Sequence, residues 1–224
     1  MEILIIGSRN QGEEARLKFG DSHQYVLANS EQETGALIKN CQLVFDFTPG
    51  DKDWSPHLYQ QPFSCTAFLE TSKVALKQLD AFHFQGVMFG FCGMPTFLNR
   101  PLLEVSTAGE EHQGKLVSLC HELKTDYKIV ADHIGLVTPR IICLLINEAF
   151  ETVLDGTATR EDIDLAMKLG TNYPYGPFEW CRRIGAENVC GLLKAVYKDT
   201  KDERYKPCRL LEKEAHAGGG NSPG

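Results

Sequence analysis

The sequence has no excess of positive charge. Its 23 Lys and Arg stand against 30 Asp and Glu, a formal net charge of −7. No cationic surplus is available to neutralise phosphates, which excludes nucleic acid as a non-specific partner. No apolar run approaches the roughly 20 residues that span a bilayer, so no membrane partner is expected. A basic leader is lacking, and the N-terminus opens directly on a strand-like run, which reads as the absence of a signal peptide. No C-x-x-C pair is present. The eight cysteines (Cys41, Cys65, Cys92, Cys120, Cys143, Cys181, Cys190, Cys208) are scattered, mostly in apolar runs. They read as reduced, buried thiols of a cytoplasmic protein, with neither a disulfide framework nor a metal site. No internal repeat is visible.

What remains is ordinary globular composition, 42% hydrophobic and 24% charged. At 224 residues the chain is long enough for one large domain or two small ones with a real core. Residues 1–131 alternate short apolar runs with helical stretches. Strands are expected at 2–7, 24–28, 42–47, 63–68, 86–92 and 127–130, as buried parallel strands should read. Helices are expected at 11–19, 31–39, 71–80 and 110–123. This alternation implies a doubly wound parallel sheet. Another α/β sheet without a cofactor is the plainer alternative.

From 136 the period becomes helical. Thr138 can cap a helix and Pro139 suits its first turn. Ile142, Leu145, Ile146, Ala149, Phe150 and Val153 form an apolar stripe that ends at Gly156. Thr159 caps a second helix, in which Ile163, Ala166 and Met167 should face inward and which Gly170 should end. Gly176 and Pro177 start a third, ending at Gly185, and a fourth covers about 187–198. The tail from 215 to 224 has nothing to pack and is expected to be disordered.

The first strand leads into Gly7-Ser8-Arg9-Asn10-Gln11-Gly12, where a dinucleotide loop G-x-G-x-x-G would sit. Gly7 and Gly12 match the first and third glycines. Arg9 takes the place of the second, which lets the backbone approach a pyrophosphate. The acid expected at the end of the second strand is Asn29, followed by Ser30 and Glu31. Arg9 with Asn29 and Ser30 could instead receive a 2′-phosphate, and the plain alternative is a strand–helix turn with no ligand.

The segment NEAFETVLDGTATREDIDLAMKLGTNYPYGPFEW (147–180) resembles the C-terminal domain of the 3-hydroxyacyl-CoA dehydrogenases, with their N-E-A, E-D-I-D-x-A-M-x-x-G and P-x-G-P-x-E pieces in order. RYKPCRLLEKE (204–214) is similar to the family's R-Y-x-P-x-x-L-L, DHIGLVTPR (132–140) to its D-x-x-G-F-x-x-N-R, and LLEV (102–105) to its K-L-V-E-V. The resemblance implies a Rossmann-like domain over 1–131, shortened, and an all-α domain of the 3-hydroxyacyl-CoA / 6-phosphogluconate dehydrogenase type over 132–214. It also implies NAD or NADP as cofactor, an acyl-CoA-like substrate oxidised at its 3-hydroxyl in fatty acid metabolism, and a homodimer.

In that family a histidine takes the hydroxyl proton, a glutamate orients it, and an Ser and an Asn bind near the substrate oxygen. Glu104 matches the glutamate. Twelve residues back, the histidine position is Cys92, or Met88 if a gap is allowed. Cys92 reads better as a buried strand thiol than as a nucleophile, and His83 precedes the strand. The Asn is replaced by Pro139, which has neither an N–H nor a polar side chain. The N-T-S segment aligns with Cys65-Thr66-Ala67, without the serine. About a dozen residues link the second strand to QLVFDF, where the family carries a helical insertion that contributes to acyl-CoA binding. Asp46 faces the cofactor region or caps its strand. Two functions are therefore expected: a divergent NAD(P)-dependent dehydrogenase, or a non-catalytic dimeric relative, a pseudoenzyme that binds a nucleotide, an acyl ligand or a partner.

Overall fold

The computed structural model describes residues 1–50, 54, 56–60, 65–80 and 86–218, in two compact units, Met1–Leu136 and Val137–Gly224. The first unit runs β1 (Glu2–Ile6), α1 (Arg9–Phe19), β2 (Gln24–Ala28), α2 (Glu31–Leu37), β3 (Leu43–Asp46), β4 (Thr66–Glu70), α3 (Leu76–Asp80), β5 (Val87–Phe91), β6 (Leu102–Thr107), α4 (Gln113–Glu122) and β7 (Asp126–Ile129). The strands form one sheet in the order β2-β1-β3-β4-β5-β6-β7. Its ladders are parallel except β5 with β6, where Gly90 faces Ser106.

Alternate residues of each strand go to opposite faces. Ile3, Ile5, Phe45, Phe68, Phe89 and Phe91 pack on one side with Phe19 and Leu116 of α1 and α4. Leu4, Val44, Ala67, Leu69 and Met88 pack on the other with Ile38 and with Leu76 and Leu79 of α3. Each buried aromatic or branched side chain contributes about 1.5–3 kcal/mol of transfer free energy. Helices thus cover both faces, the doubly wound arrangement expected. Thr71, expected in a helix, instead prolongs the sheet, its N–H donating to the Phe91 carbonyl at 2.8 Å. Helix α3 starts later, where Asp132 accepts the N–H groups of Leu76 and Lys77 at 2.8 Å each. The expected strand at 63–68 lies at Thr66–Glu70, and residues 63 and 64 fall outside the described residues. Strand β6 was not anticipated as a strand at all, and it makes the sheet mixed rather than fully parallel.

The second unit runs α5 (Thr138–Leu154), α6 (Arg160–Thr171), α7 (Pro177–Ile184), α8 (Ala186–Thr200) and α9 (Arg209–Gly218). Helix α5 buries Ile142, Cys143, Ile146, Ala149 and Phe150. Thr138 is the first helical residue of α5 rather than its cap, which is Val137. Thr159 caps α6 as expected, accepting from the Asp162 N–H. Helix α6 passes Gly170 and ends at Asn172, whose φ of 56° closes the turn. Ala166 is exposed, and the residue that α6 buries is Asp164. The disordered tail expected from 215 is corrected for 215–218, which form the last turn of α9, with Ala215 buried against the unit. Residues 219–224 lie outside the described residues. Among the described residues no helix is long and apolar enough to cross a membrane.

The motifs that carry the resemblance are joints between these helices. Asp164 of α6 accepts the N–H groups of Phe178 and Glu179 at 2.7 and 3.1 Å, capping α7 from outside its own segment. A Cβ at Gly176 would lie 2.5 Å from the Asp164 Cα, so only glycine fits. Glu179 closes the same turn by accepting the Gly176 N–H and pairs with Lys168 at 2.9 Å. Asn147 accepts the Cys208 N–H at 2.7 Å and donates to the Lys206 carbonyl at 3.1 Å. Arg140 lies over the Tyr205 ring and donates to its hydroxyl at 3.0 Å.

Candidate functional site

The chain leaves β1 toward β2 on one side and returns past it to β3 on the other. The resulting gap at the carboxyl ends of these strands is where open α/β sheets bind ligands. A cleft of about 460 Å³ opens there. Ile6, Ala28 and Asp46 end β1, β2 and β3, and Gly7, Asn29, Ser30, Phe47 and Thr48 follow them; Trp54 and Leu58 complete the lining.

Asp46 builds that wall. One carboxylate oxygen accepts from the Thr48 N–H at 2.9 Å and the Thr48 hydroxyl at 2.6 Å. The other accepts from the Trp54 ring N–H at 3.3 Å and the Tyr59 hydroxyl at 2.7 Å. The acid is 1% exposed. Burial pushes its pKa up, against the pull of these donors. Asp46 thus borders the cleft and ties down the segment that follows its strand.

The glycine loop is closed by its own side chains. The Ser8 hydroxyl accepts the Gln11 N–H at 3.4 Å, and the Gln11 Oε1 accepts the Ser8 N–H at 2.7 Å and the Ser8 hydroxyl at 3.0 Å. Gly7 has a φ of +155°, and a Cβ there would collide with the Gln11 Oε1. Gly7 and Asn29 both line the cleft, and the Asn29 N–H donates to Glu33 at 3.0 Å. Arg9 does not line it. Its side chain is 87% exposed and pairs with Glu13 at 3.2 Å. Gly12 also stands outside the lining. A Cβ there would meet the Leu27 Cδ1 at 3.8 Å, an ordinary contact, so close helix–strand packing does not demand glycine.

The other expected residues sit three strand spacings away, about 14 Å, at the β5–β6 end of the edge. Cys92 is buried and directly follows β5. The β5–β6 ladder pairs Phe89 with Thr107 and Gly90 with Ser106. Glu104, in β6, is half-buried. Met88, the alternative position, points into the core. His83 lies outside the described residues.

One site element was missed in the sequence. Thr66 stands at the amino end of β4, remote from this edge, whereas Thr71-Ser72 follows the strand's carboxyl end, preceded by Glu70. The Glu70-Thr71-Ser72 triplet therefore keeps two residues of N-T-S, and its position after an apolar strand was the available signal. Glu70 is buried, accepts the Ser72 N–H at 2.7 Å and the Gly93 N–H, and has its pKa raised by burial. The Ser72 hydroxyl is buried with no hydrogen-bond partner among the described residues. Those residues contain no group of three or more His, Cys, Asp or Glu able to hold a metal ion.

In the helical unit Pro139 is buried in the first turn of α5. Ile141, Leu144, Leu145, Ala149, Ile163 and Met167 line an apolar groove of about 620 Å³ between α5 and α6, with Glu148 and Arg204 at its rim.

The family model for the 3-hydroxyacyl-CoA dehydrogenase C-terminal domain matches residues 135–222. That match takes in the helical unit. Within this family the chain is similar to the 3-hydroxyadipyl-CoA dehydrogenase of Escherichia coli, 41% identical over 86 residues, 38% of this chain and 18% of the relative. It is also similar to a probable 3-hydroxybutyryl-CoA dehydrogenase of Bacillus subtilis, 34% identical over 109 residues, 49% of this chain and 38% of the relative. The matches thus span well under half the length of either relative. A solved (S)-3-hydroxybutyryl-CoA dehydrogenase from Ralstonia eutropha superposes with a TM-score of 0.74 at 20% identity, over 97% of this chain and 94% of that one. This likeness establishes the fold, a Rossmann-type unit followed by a helical one.

Proposed function

We propose that the chain is a dimeric, non-catalytic relative of the 3-hydroxyacyl-CoA dehydrogenases that binds a small molecule in the cleft of its Rossmann-type unit. The observation that carries this reading is Cys92, a buried thiol directly after β5 where the resembled family has its histidine. Loss of a general base alone costs on the order of 10²–10⁴ in rate. Pro139 adds the loss of the asparagine. The short link between the second strand and QLVFDF adds the loss of the helical insertion.

The nucleotide loop is altered but not closed: the Gln11 carboxamide takes the Ser8 N–H, while Arg9 and Asn10, the first two residues of α1, keep their N–H groups at the helix start. Arg9 gives no support to a 2′-phosphate, because it pairs with Glu13 away from the cleft.

The test is an acetoacetyl-CoA reduction assay on purified protein with NADH and with NADPH. No turnover is expected with either, and measurable turnover overturns the reading. The dimer part rests on the apolar α5–α6 groove, whose Ile141 is 55% exposed. Apolar groups so placed favour association. Light scattering of the purified chain is expected to give twice the monomer mass, and a monomer refutes the dimer.

A further inference from the structure

Eight buried thiols are distributed over the two units, and two of them stand together. Cys41 lies between α2 and β3, and Cys65 lies just before β4. Strands β3 and β4 are neighbours, and the Thr66 N–H donates to the Gln42 carbonyl at 3.3 Å. Those two residues adjoin the cysteines in the chain. Both thiols belong to one core cluster. Both reach the same acceptor, the Ile38 carbonyl, at 3.3 and 3.7 Å. Residues one position out of register on neighbouring strands have Cα atoms roughly 6 Å apart, within the span of a disulfide.

The two side chains also hydrogen-bond each other, and this splits their acidity. The Cys41 S–H can donate to a Cys65 thiolate, which holds the Cys65 thiol below its ordinary value and raises that of Cys41. Burial pushes the thiols of Cys120, Cys181, Cys190 and Cys208 up. Cys65 is therefore the better nucleophile of the pair. Both cysteines are buried, but Asn40 and Gln42 on either side of Cys41 are exposed, so the pair lies just under the surface.

Residues 42–64 run between the two cysteines. They include Asp46, Phe47, Thr48, Trp54 and Leu58, which line the cleft. Tyr59, whose hydroxyl donates to Asp46, shares the core cluster of the two thiols. A covalent link between Cys41 and Cys65 would join the chain on either side of the cleft wall.

We propose that Cys41 and Cys65 form a reversible redox modification site, whose disulfide ties together both ends of the cleft-wall segment. The oxidant is a peroxide. With hydrogen peroxide, the Cys65 sulfur attacks one oxygen, the O–O bond breaks, and the other oxygen leaves as water with the thiol proton. The Cys41 sulfur then attacks the resulting sulfenic acid. An S–S bond forms, the S–O bond breaks, and a second water leaves with the Cys41 proton. Two thiols lose two electrons, the peroxide gains them, and a thiol reductant reverses the link.

Peroxide treatment of the folded full chain, then alkylation in urea and peptide mass spectrometry, tests this. Two of the eight thiols should be lost to alkylation, with the Cys41 and Cys65 peptides linked and dithiothreitol restoring both. The linked protein should melt roughly 5–10 °C higher, since closing a loop of this length restrains the unfolded chain. In Cys41→Ser, with no partner thiol, Cys65 should gain oxygen instead of a link. Cys41 and Cys65 both remaining open to alkylation overturns the proposal, as does a link between a different pair. So does a Cys41–Cys65 link that forms as fast in urea as in the folded chain, because the fold then has no part in placing the sulfurs. A linked chain that melts no higher than the reduced one overturns the tie, and an unmodified Cys65 in Cys41→Ser overturns its part as the attacking thiol.

Discussion

Asp46 shows how much one side chain can organise. It was conspicuous in the sequence as an acid inside an apolar strand, but its partners Thr48, Trp54 and Tyr59 lie two, eight and thirteen residues further on. Burial raises the pKa of Asp46 and of Glu70, so both bind protons more readily in the folded chain than in the unfolded one. The sign follows from linkage: the folded state gains stability as pH falls through the raised folded values toward the unfolded carboxylate range near 4, and loses it as pH rises. Urea unfolding followed from pH 7 down to about 5 is expected to show this trend, and Asp46→Asn should flatten it. The same substitution should cost about 1–3 kcal/mol, because an amide nitrogen would face the Trp54 N–H donor. Gly12 carries the opposite expectation. Its added Cβ meets only ordinary contacts, so Gly12→Ala in α1 should stabilise the first unit by about 0.4–1 kcal/mol in the same measurement.

At the scale of elements, the sequence motifs prove to be joints. The E-D-I-D and P-x-G-P-x-E pieces meet because Asp164 caps α7 and Gly176 makes room for it. Asp164→Ala should destabilise the helical unit by about 1–3 kcal/mol, since it leaves two amide groups at a buried helix start unpaired. Gly176→Ala should cost at least as much, because the clash is with backbone and cannot be relieved by a side-chain rotation. Thermal unfolding by circular dichroism measures both; a Gly176→Ala protein as stable as the parent would contradict the close approach. Strand β6 marks the limit of element reading. LLEVST alternates, but its partner β5 precedes it and runs the other way. Nothing local announces the direction in which a strand will pair. The same limit hid Thr71-Ser72, whose place after β4 depends on where that strand begins.

At the scale of the whole molecule, the helical unit has more apolar surface than it can bury. Helix α6 turns Leu165 and Leu169 to solvent and leaves the groove beside α5 open. A second copy of the chain would cover it. Replacing Ile141 by Glu is expected to shift the light-scattering mass toward the monomer without unfolding the unit, because this side chain is exposed within it. An unchanged mass would place any association elsewhere.

Class and order of elements could be read from composition and periodicity, because burial on both faces of a parallel sheet and along one stripe of a helix imposes periods that a single chain displays. The family of the helical unit was legible too, since its joints need particular residues at fixed spacing: an Asp at the position that caps the next helix, a glycine where two backbones touch. The state of the cleft could not be read this way. The sequence presents Arg9 as the anomaly of the loop, yet Arg9 turns to solvent, and the side chain that reaches back to the Ser8 N–H is that of Gln11. Which side chain reaches back over a helix start is settled by backbone direction and by competition for the same amide. Those are properties of the folded loop, not of the order of its letters.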